Sequence, residues 1–272
     1  MMAEQAQVWS AQGWQPATGW PPQDRALHYG DGLFETIRFA TDGRIPLLAF
    51  HRQRLLQGLV ALDIPVATAA LLEEALSALP PAGQTAGKLL LSRGPGPRGY
   101  LPPSEPQIQL LFQPFAAPKW ASERMTGGMV CEFSEITLAP QPLLSGFKHL
   151  NRLEQVLARQ RFPAHCHEVI MTDTDDWVIE GCMSNLFLLE RGQWLTPDLS
   201  RCGVNGVVRR WLQAGTDIAE ARITPERLLQ ADAVFLSNTL NGVIAVQSIG
   251  TRKYHQHPDI VRFQQQFQEQ FA

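Results

Sequence analysis

The chain has 272 residues, 44% hydrophobic and 18% charged, which is enough apolar material for one sizeable core or two modest ones. A formal charge of -3 lacks the basic surplus of a phosphate-tracking nucleic-acid binder, so nucleic acid is not an expected partner. No apolar run reaches the roughly 18 residues of a membrane span, and Met1 to Gln7 lacks a basic stretch followed by an apolar one, so a soluble cytoplasmic protein without a membrane partner is expected.

After a Trp- and Pro-rich start, Asp24 to Ala40 predicts a Gly-punctuated turn and a strand over Leu33 to Phe39, ending in a turn at Asp42-Gly43. Phe50, Leu55, Leu59 and Leu62 recur at helical spacing and predict a helix over 48–62, ended by Pro65. A second helix is expected over 68–79, capped by Thr68, with Glu73 and Glu74 early in it. Strands follow near 87–92, 107–113 and 128–136. The stretch Phe115 to Glu123, with Pro118, is the linker candidate. It divides a small N-terminal α/β domain (1–115) from a larger C-terminal domain (124–272), with 116–123 between them. Beyond it the pattern predicts a helix over 149–161 and strands near 168–172, 177–180, 184–189 and 193–195. A helix is expected from about Asn205, then strand-helix-strand over 217–236, a last strand over 243–249 and a Gln-rich helix over 259–271. The fold class is α+β.

Two signals carry less than they promise. Gly94, Gly96 and Gly99 satisfy GxGxxG after a strand-like run, but Pro95, Pro97, Pro102 and Pro103 forbid the helix that a dinucleotide fingerprint needs. The segment reads as a loop whose interest lies in Arg93, Arg98 and Tyr100. Cys131, Cys166, Cys182 and Cys202 form no CxxC pair and read as reduced packing thiols. His165 and His167 flank Cys166, but their segment offers no second ligand cluster, so they read as surface or strand-end histidines and no metal is expected.

Lysine is rare: Lys88, Lys119, Lys148 and Lys253 stand among 23 basic residues. Lys148 follows an apolar, Pro-rich stretch and precedes a helix, where a partly desolvated amine can become a nucleophile. Taken alone, the segment favours a solvated lysine closing a loop. Lys88, in an apolar strand, is a rival anchor. Glu180 ends an apolar strand before a small-residue turn, where burial requires a cationic or proton-donating partner; the alternative is an edge-strand Glu facing water. Gly203-Val204-Asn205-Gly206-Val207-Val208 places a Gly-rich turn at a helix start, suited to an anion. Arg54, three residues after His51, could supply a charged phosphate contact, although a lone helical Arg is more often solvated.

With Asp24 to Glu35, His51-x-x-Arg54-Leu55, Ser92-Arg93-Gly94 with Arg98-Gly99-Tyr100, Gly146 to Leu157, Gly203 to Gly206 and Ser237-Asn238-Thr239, the chain resembles the class IV pyridoxal-phosphate enzymes. These include branched-chain and D-amino-acid aminotransferases and 4-amino-4-deoxychorismate lyases, and the lyases are the best match motif for motif. The resemblance implies a two-domain fold with a mixed, barrel-like sheet in the larger domain, a homodimer, and pyridoxal 5'-phosphate as cofactor. It implies a Schiff-base role for Lys148, a pyridine-nitrogen contact for Glu180, and phosphate contacts for Arg54, Val207, Val208 and Thr239. Tyr29 and Arg98 are implied substrate contacts. The small-molecule substrate would be aminodeoxychorismate, converted to 4-aminobenzoate and pyruvate. The segment after Lys148 lacks the tyrosine of branched-chain aminotransferases, which counts against amino transfer. A cofactor-free binding protein would require Lys148, Glu180, Arg54 and the 203–208 turn to coincide by accident.

Overall fold

The computed structural model describes residues 5–65, 67–79, 85–117 and 127–271. It divides into two compact units, Met1–Ala117 with Phe147–Asn151, and Pro118–Gly146 with Arg152–Ala272. Most of the expected linker, residues 118–123, lies outside the described residues.

The first unit holds a five-stranded antiparallel sheet in the order β2-β1-β5-β4-β3, made of β1 (Gln7–Ser10), β2 (Gly13–Pro16), β3 (Gly32–Arg38), β4 (Ala86–Ser92) and β5 (Gln109–Phe115). Along β3 the period of two turns Leu33, Glu35 and Ile37 inward and leaves Phe34, Thr36 and Arg38 half-buried. Helix α2 (Leu48–Ala61) covers the inward face with Leu55 and Leu59, and α3 (Ala67–Ser77) adds Leu72 and Leu76 to the buried set. Gly58 permits the close approach of α2, because a Cβ there would lie 2.6 Å from a Leu33 methyl. Each fully buried leucine, isoleucine or phenylalanine in this layer contributes about 1.5–3 kcal/mol.

The outer edge of β3 is occupied. Phe34 N–H donates to the Lys148 carbonyl at 2.8 Å, Leu150 N–H donates to the Gly32 carbonyl at 3.0 Å, and Leu33 bridges His149 antiparallel. Residues 148–150 are therefore extended, and the helix expected from His149 begins only at Leu153 as α4 (Leu153–Gln160). Their backbone groups satisfy a sheet edge and are not available to a helix.

Other expectations shift for local reasons. The Trp-rich start forms the β1–β2 hairpin, and β1 pairs with β5; Trp14 donates its indole N–H to the Ala75 carbonyl at 3.0 Å. Asp24 caps a short helix α1 (Arg25–Tyr29) inside the segment expected to be a turn. Helix α2 stops at Leu62, three residues ahead of Pro65, as Asp63 turns to positive φ. Thr68 lies inside α3 rather than capping it. The strand expected at 107–113 runs over Gln109–Phe115, and the one expected at 128–136 is the shorter β6 (Met129–Phe133).

The second unit is built on a nine-stranded mixed sheet. Its members are β6, β7 (Glu168–Thr172), β8 (Val178–Gly181), β9 (Asn185–Glu190), β10 (Gln193–Pro197), β11 (Ile218–Ala221), β12 (Ala233–Asn238), β13 (Gly242–Ile249) and β14 (Arg252–Lys253). The order is β11-β10-β9-β12-β13-β6-β7-β8, with β14 on β13. Pairs β10–β11, β13–β6 and β6–β7 are parallel and the others antiparallel. Strands β7, β8 and β9 are almost continuously buried, as expected for a sheet covered on both faces. Phe187 stacks on Phe235 at 4.4 Å, and Phe263 of the C-terminal helix (Pro258–Glu269) packs on Phe235. No helix among the described residues is long and apolar enough to cross a membrane.

Candidate active site

In the first unit, the edge pairing of residues 148–150 sets Lys148 beside Phe34. The Lys148 Nζ lies 4.6 Å from the Phe34 ring centroid, and Nζ of Lys88, opposite Thr36 on β4, lies 4.5 Å from the same centroid. Both lysines thus face one aromatic ring, which stabilises cations without neutralising them. Burial pushes the Lys88 amine below its ordinary value. Asn151 donates to the Gly30 carbonyl, the αL cap of the helix that carries Tyr29, and so ties the lysine segment to that helix.

Tyr29 and the Arg98 loop also come together. The Tyr29 hydroxyl accepts the Gly99 N–H at 3.2 Å, and the Tyr29 and Tyr100 rings lie 5.4 Å apart. Buried Arg25 holds the loop by donating to the Gly99, Tyr100 and Leu101 carbonyls. Arg98 and Tyr100 are exposed, as a substrate contact requires. Arg93 has a different task. It shares Asp31 with Arg25 and donates to the Leu62 and Asp63 carbonyls at the end of α2, which anchors the glycine loop to the helix. The loop contains no helix.

Arg54 is buried and reaches Glu35 on the opposite face of β3 from Phe34. Its Nε donates to Glu35 Oε1 at 2.7 Å and its Nη2 to Oε2 at 2.5 Å, while His51 Nδ1 lies 2.6 Å from Oε2. Burial alone would raise the Glu35 pKa, but Arg54 and His51 together hold it at about 2. Glu35 and His51 were given no role by the motifs. The alternation along β3 was the available signal, since it turns Glu35 inward with Leu33 and Ile37, where a carboxylate needs a cation.

The second unit assembles the remaining groups around one turn. Glu180, buried at the end of β8, accepts the Val204 N–H on Oε2 at 2.9 Å. Asn185 Nδ2 donates to the Val204 carbonyl at 2.7 Å and its Oδ1 accepts the Gly206 N–H at 3.1 Å, so one side chain clamps both sides of Asn205. Gly206 is required there, because a Cβ would lie 2.0 Å from Asn185 Oδ1. The helix expected near Asn205 starts at Val207 as α5 (Val207–Gly215), with Gly206 at its N-cap and no side-chain cap. Buried Arg209 donates to Thr196, Asn205 and the Pro197 carbonyl and pairs with Glu220, which braces the turn from below. Thr239 occupies the turn between β12 and β13, next to Asn238, whose amide donates to the Met183 carbonyl. Gly146, two residues before Lys148, bridges Val204 in parallel. Asn185 and Arg209 escaped sequence reasoning, because all their partners except Asn205 lie 11–21 positions away and no local pattern marks them.

Glu168 is a second buried carboxylate beside Glu180. It accepts the Ser184 hydroxyl at 2.8 Å and the Met183 and Val169 amides at 3.1 Å each. Burial, reinforced by the charge of Glu180, outweighs these hydrogen bonds and raises its pKa from 4.5 to about 7.

Residues 32–249 match the family model "Amino-transferase class IV". The chain is 34% identical to aminodeoxychorismate lyase of Vibrio harveyi over 86% of this chain and 89% of that protein. It superposes on the crystal structure of 4-amino-4-deoxychorismate lyase from Pseudomonas aeruginosa with a TM-score of 0.88 and 38% identity, covering 94% and 96% of the two chains. It is 27% identical to D-alanine aminotransferase of Staphylococcus epidermidis, over 84% of this chain and 82% of that one. The chain therefore belongs to the class IV aminotransferase family, whose members are pyridoxal-phosphate enzymes.

The groups present fit that cofactor. The first turn of α5 offers amides with no capping side chain, and the hydroxyl of buried Ser237, on β12 beside the Asn238-Thr239 turn, has no hydrogen-bond partner. Uncapped amides and an orphaned hydroxyl suit a phosphate. The Glu180 carboxylate suits a protonated ring nitrogen, and Lys148 suits an aldehyde.

Two variants test the buried carboxylates. Glu35→Gln should lower stability by about 3–5 kcal/mol in urea unfolding near neutral pH, because Arg54 stays buried without its counter-charge. The lost contribution belongs to a carboxylate whose pKa is depressed by folding, so in the parent chain it should persist above pH 4.5 and vanish only as pH falls through about 2. Glu168 has the opposite sign. Its folded value exceeds its unfolded one, so its contribution is complete below pH 4.5 and is lost as pH rises through about 7. Unfolding free energies of Glu168→Gln across that window should fall less steeply with pH than those of the parent chain.

Proposed function

We propose that this chain is a pyridoxal-phosphate-dependent aminodeoxychorismate lyase that converts 4-amino-4-deoxychorismate to 4-aminobenzoate and pyruvate. The carrying observation is the likeness to the two lyases at 34% and 38% identity over nearly the whole chain, against 26–30% for D-alanine aminotransferases. The missing tyrosine after Lys148 supports the same reading.

In this reading Lys148 anchors the cofactor, Glu180 holds a proton on its ring nitrogen, and Arg54, Val207, Val208 and Thr239 hold its phosphate. When bound, the cofactor supplies an aldehyde for amines and a cationic ring that accepts negative charge. The freed Lys148 amine takes the proton from the substrate carbon that bears the amino group. Cleavage of the neighbouring carbon–oxygen bond then releases the enolpyruvyl group as pyruvate, and the ring becomes aromatic. The base for this step is the Lys148 amine, which the pairing of residues 148–150 on the β3 edge sets beside the Phe34 ring. Val204 N–H donates to the Glu180 carboxylate and orients it. Tyr29 and Arg98, joined through the Gly99 loop, contact the substrate, and Arg98 takes one of its carboxylates. The working form is a cytoplasmic homodimer.

Incubating the cofactor-loaded protein with aminodeoxychorismate should give equal amounts of 4-aminobenzoate and pyruvate, with neither formed by Lys148→Ala. Amino transfer to a keto acid, without either product, would move the assignment to an aminotransferase. Independently, borohydride treatment of the loaded protein followed by peptide mass mapping should place the pyridoxyl group on Lys148; its appearance on Lys88 would reverse the roles of the two lysines.

A further inference from the structure

The 165–167 segment carries an imidazole and a thiol side by side, and the second unit supplies what that segment lacks. Glu132 on β6 brings a carboxylate to them: one donor atom from each of Glu132, His165 and Cys166 lies within 4.8 Å of the others. His165 Nε2 is 3.5 Å from Glu132 Oε1. Donors bound at about 2.0–2.3 Å to one tetrahedral ion stand roughly 3.3–3.7 Å apart. The imidazole and carboxylate are already at that spacing, and the thiol lies within 4.8 Å of both.

The two segments are held in register by the backbone. His167 N–H donates to the Val130 carbonyl at 2.9 Å, and Val130 N–H donates to His167 Nδ1 at 3.0 Å. Cys166 N–H closes a turn onto the Pro163 carbonyl at 2.9 Å, and β6 and β7 then run parallel, with Glu132 opposite Val169. His167 is thereby used as a clamp, which leaves His165 as the ligand histidine. The three donor residues are half-buried or exposed, so an ion can reach them from solvent.

We propose that Glu132, His165 and Cys166 form a surface site for a thiophilic divalent cation of the Zn²⁺ class. One sulfur, one nitrogen and one oxygen donor suit a borderline ion and disfavour Mg²⁺ or Ca²⁺, which prefer all-oxygen sets. Three protein donors leave a fourth position for water. The thiolate and carboxylate together neutralise the ion's charge. The site is separate from the residues assigned to the cofactor and does not depend on the reaction the enzyme performs.

Cys131, Cys182 and Cys202 are buried, so a thiol-directed probe reports on Cys166 alone. Untagged, reduced, cofactor-loaded protein titrated with Cd²⁺ should develop a thiolate-to-metal charge-transfer band in the near ultraviolet that saturates at one ion per chain. The band should be absent from Cys166→Ser, and Glu132→Gln and His165→Asn should each weaken binding at least about tenfold. Zn²⁺ should also slow modification of Cys166 by a disulfide reagent in the parent chain. No saturable band, or a band retained in Cys166→Ser, overturns the site. Unchanged affinity in both Glu132→Gln and His165→Asn overturns it as well, by reducing it to a lone thiol. Because all three side chains lie at the surface, circular dichroism should show each variant folded.

Discussion

The open edge of β3 needs a partner for its backbone, and the segment that meets that need carries Lys148. An edge strand presents unpaired amides and carbonyls, and leaving them dry and unpaired costs free energy. Residues 148–150 satisfy them, and in doing so give up the helix that their sequence could have started. The lysine side chain emerges beside Phe34 as a consequence of main-chain pairing. A residue held in this way depends little on its own side-chain contacts for position, which fits the anchoring role proposed for Lys148.

The polar interior follows a single rule: each buried charge is met by a partner of opposite sign or by directed hydrogen bonds. Glu35 has Arg54 and His51, and Glu180 has the Val204 amide. Arg209 has Thr196, Asn205, a carbonyl and Glu220. Glu168 has the Ser184 hydroxyl and the Met183 and Val169 amides, but burial and the charge of Glu180 outweigh them and move it toward the protonated form. Arg54 and Glu180, both proposed cofactor contacts, are themselves members of these networks. A half-satisfied network would cost more than an apolar core, so the site and the stability of each unit rest on the same bonds.

Much of the architecture is legible along the chain. The expected strands that became β3, β4 and β12, the helical spacing of Leu55 and Leu59, and the glycine turn before Val207 all state local preferences that tertiary packing reinforces. The errors cluster where a distant partner outbids the local preference. His149 left its expected helix to pair with Leu33, Thr68 lost its expected cap role to an earlier helix start, and the tryptophans of the start joined the sheet through Phe112. Among the candidate residues, Lys148, Glu180 and the 203–208 turn are flagged by residue types that announce their proposed chemistry. Asn185, Arg209, Glu35 and Glu168 are held by bonds that mostly span 11 to 21 positions, and they announce nothing locally.

By itself, the amino-acid sequence determined the element types, the scarcity of lysine and the motifs that place this chain in its family, because periodicity and turn chemistry act over a few residues. The tertiary structure decided which charges are neutralised, which strand edge receives Lys148, and that Glu132 stands over His165 and Cys166. Those outcomes come from sheet pairing between segments far apart in the chain, where the satisfaction of buried hydrogen bonds and charges, and not local propensity, selects the partner.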